Sequence, residues 1–293
     1  MKKKNYGGRF FIVVLLLAFA AAPAAAQVRL GFRFYGGWNY LGGGDLNRGA
    51  EGFADVFRYL FADDGYTTQD KFSPAHSGLD FGGDLVLEFT PSFGLFLGAG
   101  YARASRKSEI SYSKTGPSFK PTVTAEPAAD AVRLSLQAYY VLPTTSGLSL
   151  VFHAGPEFYL ARMRINTKTT VSYGAPIGFM IEASGQGLGF QGGLGLEYSL
   201  GASVGFFLEI VGRYAHFSGF DGTTTIDVTG SPISQHGELY YVVGSTSSGG
   251  SVSIVMCYPT PPDDPGGVAR AAKIDFSGFS LRLGVVFRIG PRK

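Results

Sequence analysis

Glu209, Arg213, His216 and Ser218 fall within ten residues of one another in the stretch "EIVGRYAHFSGF". A serine hydroxyl, an imidazole and charged groups to orient them are the ingredients of hydrolysis by an activated nucleophile, provided the side chains come within hydrogen-bond reach. The stretch also alternates. Ile210, Gly212, Tyr214, His216 and Ser218 form one set, and Glu209, Val211, Arg213, Ala215 and Phe217 the other. Read as a β-strand, the two sets point to opposite faces. Glu209 and Arg213 then cannot orient His216. His216 and Ser218 share a face, about 6.8 Å apart along the strand, and the nearest acids downstream are Asp221, Asp227 and Glu238.

Other chemistry is sparse. His76, His153 and His236 have no metal-ligand spacing with acids or cysteine, and Asp63-Asp64 is an isolated pair. There is no phosphate-binding loop and no dinucleotide fingerprint. No metal and no cofactor are expected. The single cysteine, Cys257, excludes an internal disulfide and is read as a loop residue.

The elements that position these residues begin after a leader. Residues 1–26, "MKKKNYGGRFFIVVLLLAFAAAPAAA", have a basic start, an apolar core from Phe10 to Ala22 and small residues at Ala24 to Ala26. This predicts a cleaved secretory signal peptide; the apolar core is too short for a spanning helix, which takes roughly 20 residues. The leader holds four Lys/Arg and no acid, so the net charge of +3 falls to −1 without it. Nothing in that balance argues for nucleic acid.

Beyond residue 26 no apolar run approaches the length of a spanning helix, yet the chain is 45% hydrophobic. Alternation accounts for this. In "RLSLQAYYVL", Leu134, Leu136, Ala138, Tyr140 and Leu142 share one face; in "FSLRLGVVFRI", Phe279, Leu281, Leu283, Val285, Phe287 and Ile289 do. Eight such segments are predicted, at 28–41, 78–90, 94–106, 131–142, 147–162, 186–200, 203–217 and 275–289. Each is long enough to cross a bilayer as a tilted strand of about 9–11 residues. Short connections alternate with long ones at 42–77, 107–130, 163–185 and 218–274. The expected fold is all-β, an antiparallel up-and-down transmembrane barrel of eight strands over residues 27–293. Ten strands is the alternative, since "TTTIDVTG", "GELYYVVG" and "SVSIVMC" in the last loop can form a further hairpin.

The polar face distinguishes a barrel from a soluble sandwich. Lysine is absent from all eight segments, and the polar face carries six arginines and six acids: Arg29, Arg33, Arg133, Arg213, Arg282, Arg288, Asp80, Asp84, Glu88, Glu157, Glu197 and Glu209. Arginine's planar fork suits paired charges in a narrow interior. A salt-bridge network across a lumen is expected among Arg33, Asp84, Glu88, Arg133, Glu157, Glu197, Glu209, Arg213 and Arg282. Glycines 31, 82, 98, 189, 193 and 195 leave room for it. The functional alternative is a narrow gated pore in which an Arg–Glu switch opens a path. On the apolar face, Trp38, Tyr40, Tyr101 and Tyr214 sit toward the long-loop end, and Phe89, Tyr140, Tyr198 and Phe287 toward the short-turn end. Two aromatic belts flanking an aliphatic band predict a membrane girdle. Pro156 predicts a local irregularity in its strand.

Taken together, the pattern resembles the small outer-membrane barrel superfamily that includes the OmpA transmembrane domain, OmpX and OmpW. The resemblance covers the chain after the leader apart from the long loops. It implies a bacterial outer-membrane location, contact with outer-membrane lipid and lipopolysaccharide, periplasmic chaperones and insertion machinery during assembly, extracellular long loops, and a structural, adhesive or binding role with no enzymatic activity. Such barrels usually end on an aromatic residue; here Phe287 is followed by "RIGPRK". No peptidoglycan-binding domain is expected after the barrel. An outward His-x-Ser at the rim is also similar to the lipid A 3-O-deacylases, which implies an esterase as a further alternative. That family has Asn directly after the serine and Glu about a dozen residues on, where this chain has Gly219 and Gly230.

In the first long loop, Phe53, Val56, Phe57, Leu60 and Phe61 recur at helical spacing, with Asp45 a candidate N-cap and Gly65 a stop. An amphipathic helix over the barrel mouth is expected, with a partial plug or a surface patch as alternatives. "TKTTVSYGAPIGFMIEASG" is expected to continue its two strands above the membrane.

Overall fold

Alternation of apolar and polar residues writes most of the chain into extended strands, and their lengths set the architecture. The computed structural model describes residues 28–116, 119–145, 147–170, 176–228, 230–245, 250–263 and 268–290. The predicted signal peptide lies outside them. In chain order the elements are β1 (Arg29–Leu41), the helix α1 (Asp45–Asp63), β2 (Ser77–Glu88), β3 (Phe93–Ser105), β4 (Ser108–Ser111), β5 (Thr122–Thr145), β6 (Leu148–Thr170) and β7 (Ile177–Ser199). They continue as β8 (Val204–Tyr214), β9 (His216–Phe217), β10 (Asp221–Val228), β11 (Ser231–Ser245), β12 (Ser251–Tyr258), β13 (Val268–Ala271), β14 (Ile274–Asp275) and β15 (Gly278–Ile289).

Eight of these strands close a ring in the order β1-β2-β3-β5-β6-β7-β8-β15, with β15 pairing back to β1 from Leu30↔Ile289 to Leu41↔Gly278. Every pairing in the ring is antiparallel. Closure leaves no open edge at membrane depth, so the ring strands satisfy one another's backbone polar groups around the wall, with one interruption described below. The eight segments read from the sequence are these eight strands. The extra hairpin forms without entering the ring. β7 pairs with β8 over Phe190–Ser199 and with β10 over Ile177–Ser184, so β10, β11 and β12 add to the wall only above the barrel.

Burial follows the pleat. Along β6, Ser149, Val151, His153, Glu157, Tyr159, Ala161, Met163, Ile165, Thr167 and Thr169 are buried on one face. The other face presents Leu150, Phe152, Phe158 and Leu160, then changes to Arg162, Arg164 and Lys168. The outward band is apolar on every ring strand, with Tyr214 71% and Leu283 63% exposed. A continuous belt of this kind is an aggregation surface in water and a lipid contact in a bilayer. On β1 it runs from Leu30 to Tyr40, about 25 Å high at a tilt of roughly 40°.

Three strands, β5, β6 and β7, outrun the eight predicted segments; for β6 and β7, which begins at Ile177, this is the continuation above the membrane expected from "TKTTVSYGAPIGFMIEASG". β5 begins at Thr122 and β6 ends at Thr170, so much of the predicted loops 107–130 and 163–185 is wall above the membrane. The cause is legible in the pairing: Thr122↔Thr170 continues the register of Ser135↔Glu157. The irregularity expected at Pro156 is there. The β5–β6 ladder stops at Ser135↔Glu157 and resumes at Ala138↔Ala154 in the same register, because proline has no N–H to give. Pro156 stays opposite Phe190 of β7.

α1 forms where predicted, with one correction. Asp45 is the first helical residue and Gly44, at φ 58°, precedes it without a side-chain cap. The Asp45 carboxylate is drawn instead to Arg270 and the Lys273 N–H. Gly65, at φ 81°, ends the helix as expected, its N–H bonded to Ala62.

Candidate functional site

Two places could carry chemistry: the charged lumen and the outer rim around His216. The lumen is built in layers because inward residues from eight strands meet at common heights. Lowest, toward the short turns, the Arg288 guanidinium bridges Glu88 at 2.5 Å and Glu197 at 2.5 and 2.9 Å, and Arg29 reaches Glu88 at 3.5 Å. Above it Val86, Phe96, Tyr139 and Val151 form an apolar layer, with Phe96 and Tyr139 stacked at 4.1 Å. The Arg33 guanidinium lies between the Phe96 ring at 4.4 Å and the Phe207 ring at 3.9 Å. Those rings come from β3 and β8, which are opposite each other in the ring, so this sandwich spans the bore.

Charges span it again one level up. Glu209 accepts from Arg33 at 2.6 Å and lies 3.3 Å from Arg282 and 3.4 Å from His153. Arg33 also faces Asp84 at 3.6 Å. Higher still, Asp80 receives Arg133, Arg213 and the Arg282 Nε, the last at 2.9 Å. Arg133 lies 3.4 Å from Glu157, which accepts the Tyr159 hydroxyl at 2.5 Å. Arg282 stacks on Tyr35 at 4.3 Å. Burial of unpaired charge costs several kcal/mol, and each of these carboxylates has at least one guanidinium partner.

All nine residues predicted for the network point inward. Their pairing differs from the simplest expectation in one respect. Glu209 and Arg213, four residues apart on β8, are about 13 Å apart along the strand and do not pair with each other. Arg213 goes to Asp80 and Ser280, and Glu209 to Arg33, Arg282 and His153. The hub of the upper layer is Asp80, which alternation had placed inside but which had no assigned role. His153, beside Gln137 and Glu209, was also missed; its inward parity on β6 was the available signal.

Above the charges the interior turns apolar. Tyr159, Ala161, Met163 and Ile165 of β6 pack with Leu46, Ala50 and Phe53 of α1 and with Val255 and Cys257 of β12. The next turns of α1 bury Ala54, Phe57 and Phe61 against Ile110, Tyr112 and Val123. The helix is therefore seated inside the extended wall, across the mouth. Close approach requires glycine at one point: a Cβ on Gly52 would stand 1.7 Å from the Ser253 carbonyl oxygen. Cys257, expected in a loop, lies in β12 within this core, and burial pushes its thiol pKa up.

The rim places His216 and Ser218 as the parity argument requires. Both are exposed and both lie on the outer face, while Glu209 and Arg213 are inside the wall. Among the described residues no hydrogen bond joins His216 to Ser218. Asp275 stands opposite His216 in the β9–β14 pair, but its carboxylate accepts the Ser277 N–H at 2.9 Å. Glu238 accepts from Tyr240 at 3.2 Å. The other histidines serve locally: His76 Nδ1 meets the Leu41 carbonyl at 2.7 Å, and His236 pairs with Thr223 at 3.3 Å. The eight predicted girdle residues all face outward, and neighbours join them, with Phe279 5.5 Å from Trp38 and Phe81 5.3 Å from Tyr101.

A family model described as "Outer membrane protein beta-barrel domain" matches residues 11–234. A major outer membrane protein from Thermus thermophilus is similar at 15% identity and TM-score 0.40, over 89% of this chain and 99% of that one. The outer membrane protein OprG from Pseudomonas aeruginosa is similar at 11% identity and TM-score 0.35, over 88% of this chain and 95% of that one. No curated protein matches the chain.

Proposed function

The chain belongs to the outer membrane protein β-barrel domain family, and from that premise we propose that it is a non-conducting membrane anchor for a folded extracellular head. The head comprises α1, the upper halves of β5, β6 and β7, and β10 to β13. Its role is structural or adhesive, and its partners are met through the surface above the membrane. Assembly would use periplasmic chaperones and the barrel-insertion machinery, with the long connections emerging outside.

The observation that carries this reading is the filled bore. Arg33 held between rings from opposite strands, Asp80 shared by three guanidiniums, and α1 across the mouth are three successive obstructions. An eight-stranded barrel is just wide enough for side chains to fill it. Single-channel recording on the refolded protein in planar bilayers tests the reading. The expected record is a flat baseline over the voltage range the bilayer tolerates. Discrete, reproducible conductance steps from the wild-type protein would replace it with the gated-pore reading, and Glu209→Ala and Arg213→Ala would then be the variants to compare.

A further inference from the structure

The upper charge layer of the lumen holds more hydrogen-bond donors than acceptors. Arg133, Arg213 and Arg282 all donate to Asp80, and Arg213 donates also to Ser280. Their side chains are 1, 0 and 2% exposed. A guanidinium carries five N–H groups and no acceptor. The Nε and Nη1 of Arg133, the Nε and Nη1 of Arg213 and the Nη2 of Arg282 are buried and donate to no group among the described residues. Arg133 Nη1 lies 3.4 Å from Glu157 without hydrogen-bond alignment, and Glu157 already accepts the Tyr159 hydroxyl. Arg282 reaches down to Glu209 at 3.3 Å, where Arg33 also binds. Arg213 has, among the described residues, only its share of Asp80.

The layer is closed on both sides. Tyr159 stands opposite Arg133 in the β5–β6 pair, and the Phe276 N–H bonds to the Ala215 carbonyl, two residues past Arg213. Tyr159, Phe217 and Phe276 meet above the arginines, with ring centroids 5.9, 5.8 and 5.6 Å apart. Below lies Arg33 between its two rings. Gln191, opposite Arg213 on β7, adds a neutral amide whose oxygen is also unpartnered. A water molecule among these guanidiniums has two protons of its own to place. A halide ion only accepts, and its charge is opposite to theirs.

We propose that Arg133 and Arg213 hold a small monovalent anion of halide size inside the lumen, with Arg282 beside it. The anion supplies the acceptor that the free N–H groups lack and lies between two cations that share one carboxylate. It enters as the ring closes during folding. The proposal goes beyond the reading of the bore as non-conducting and is tested without conductance.

The test refolds the full chain in an uncharged detergent with sodium chloride, bromide or gluconate at equal ionic strength. The wild-type urea midpoint is roughly 1 M higher in either halide than in gluconate, the mass-action shift for a ligand at about a hundred times its Kd. Arg213→Met removes both the charge and the free donors, and its midpoint is the same in all three salts. Trp38→Leu, on the lipid-facing side, keeps the halide response. Crystals of protein refolded in bromide show an anomalous bromide peak in contact with the Arg133 and Arg213 guanidiniums. Equal wild-type midpoints in the three salts, a halide response that persists in Arg213→Met, or water alone at that position in the bromide crystals overturns the proposal. The wild-type comparison and the bromide map stand even if Arg213→Met fails to fold, and heat-modifiable gel mobility checks the folding of each variant. Conductance steps in planar bilayers would overturn the anchor reading and leave these measurements as they are.

Discussion

Asp80→Asn is the most informative single change in the lumen. The substitution keeps the side-chain volume and removes one negative charge from the point where Arg133, Arg213 and Arg282 converge. Arg133 keeps Glu157 at 3.4 Å and Arg282 keeps Glu209 at 3.3 Å. Arg213 closes an ion pair with Asp80 alone among the described residues. The variant therefore strands one buried guanidinium. Removing one partner of a buried pair costs about 3–5 kcal/mol, and at a urea slope of about 2 kcal/mol per M the unfolding midpoint falls by roughly 2 M. Urea titration of the detergent-refolded barrel, followed by loss of heat-modifiable mobility and by tryptophan fluorescence, measures this. Asp80→Asn/Arg213→Met removes the stranded charge and recovers at least half of the loss. A cost below about 1 kcal/mol, or a double variant no more stable than the single one, would show that the convergence on Asp80 does not hold the lumen together.

Three further outcomes are expected. Asp45→Ala or Arg270→Ala breaks the bidentate contact, at 2.5 and 2.8 Å, that ties the start of α1 to the strand region before β15; amide exchange across residues 45–54 should rise about tenfold or more, with no change in the ring strands. Leu283→Arg puts a charge near the middle of the lipid-facing band of β15 and should destabilise the barrel by about 2–4 kcal/mol, whereas Ser234→Arg on the exposed part of β11 should have little effect. Cys257 is buried and burial raises its thiol pKa. At pH about 8.5, where a free thiol is half ionised, the folded protein should resist maleimide labelling and become reactive only in urea.

Much of the wall was legible in the sequence because strand alternation is local. Period two assigns each residue to the lumen or the lipid without knowledge of any other strand, and that assignment separated Glu209 and Arg213 from His216 and Ser218. The absence of lysine from the segments, together with the arginine–acid face, likewise marked an enclosed interior. The same reasoning placed the Pro156 irregularity and the amphipathic helix. It anticipated the continuation of β6 and β7 above the membrane but could not extend β5 back to Thr122, because above the membrane the outward face turns polar and the apolar-out signal disappears.

What the tertiary structure decided is who meets whom across the bore. Ring order and register, set by closure of β15 on β1, bring Asp80 of β2 to arginines from β5, β8 and β15. No spacing along the chain encodes a contact between residues 53, 133 and 202 positions apart. The seat of α1 is partly of the same kind: its apolar stripe led to the expectation of a helix over the barrel mouth, with a partial plug or a surface patch as alternatives, and the folded wall of β5, β6 and β12 decided which residues it packs against.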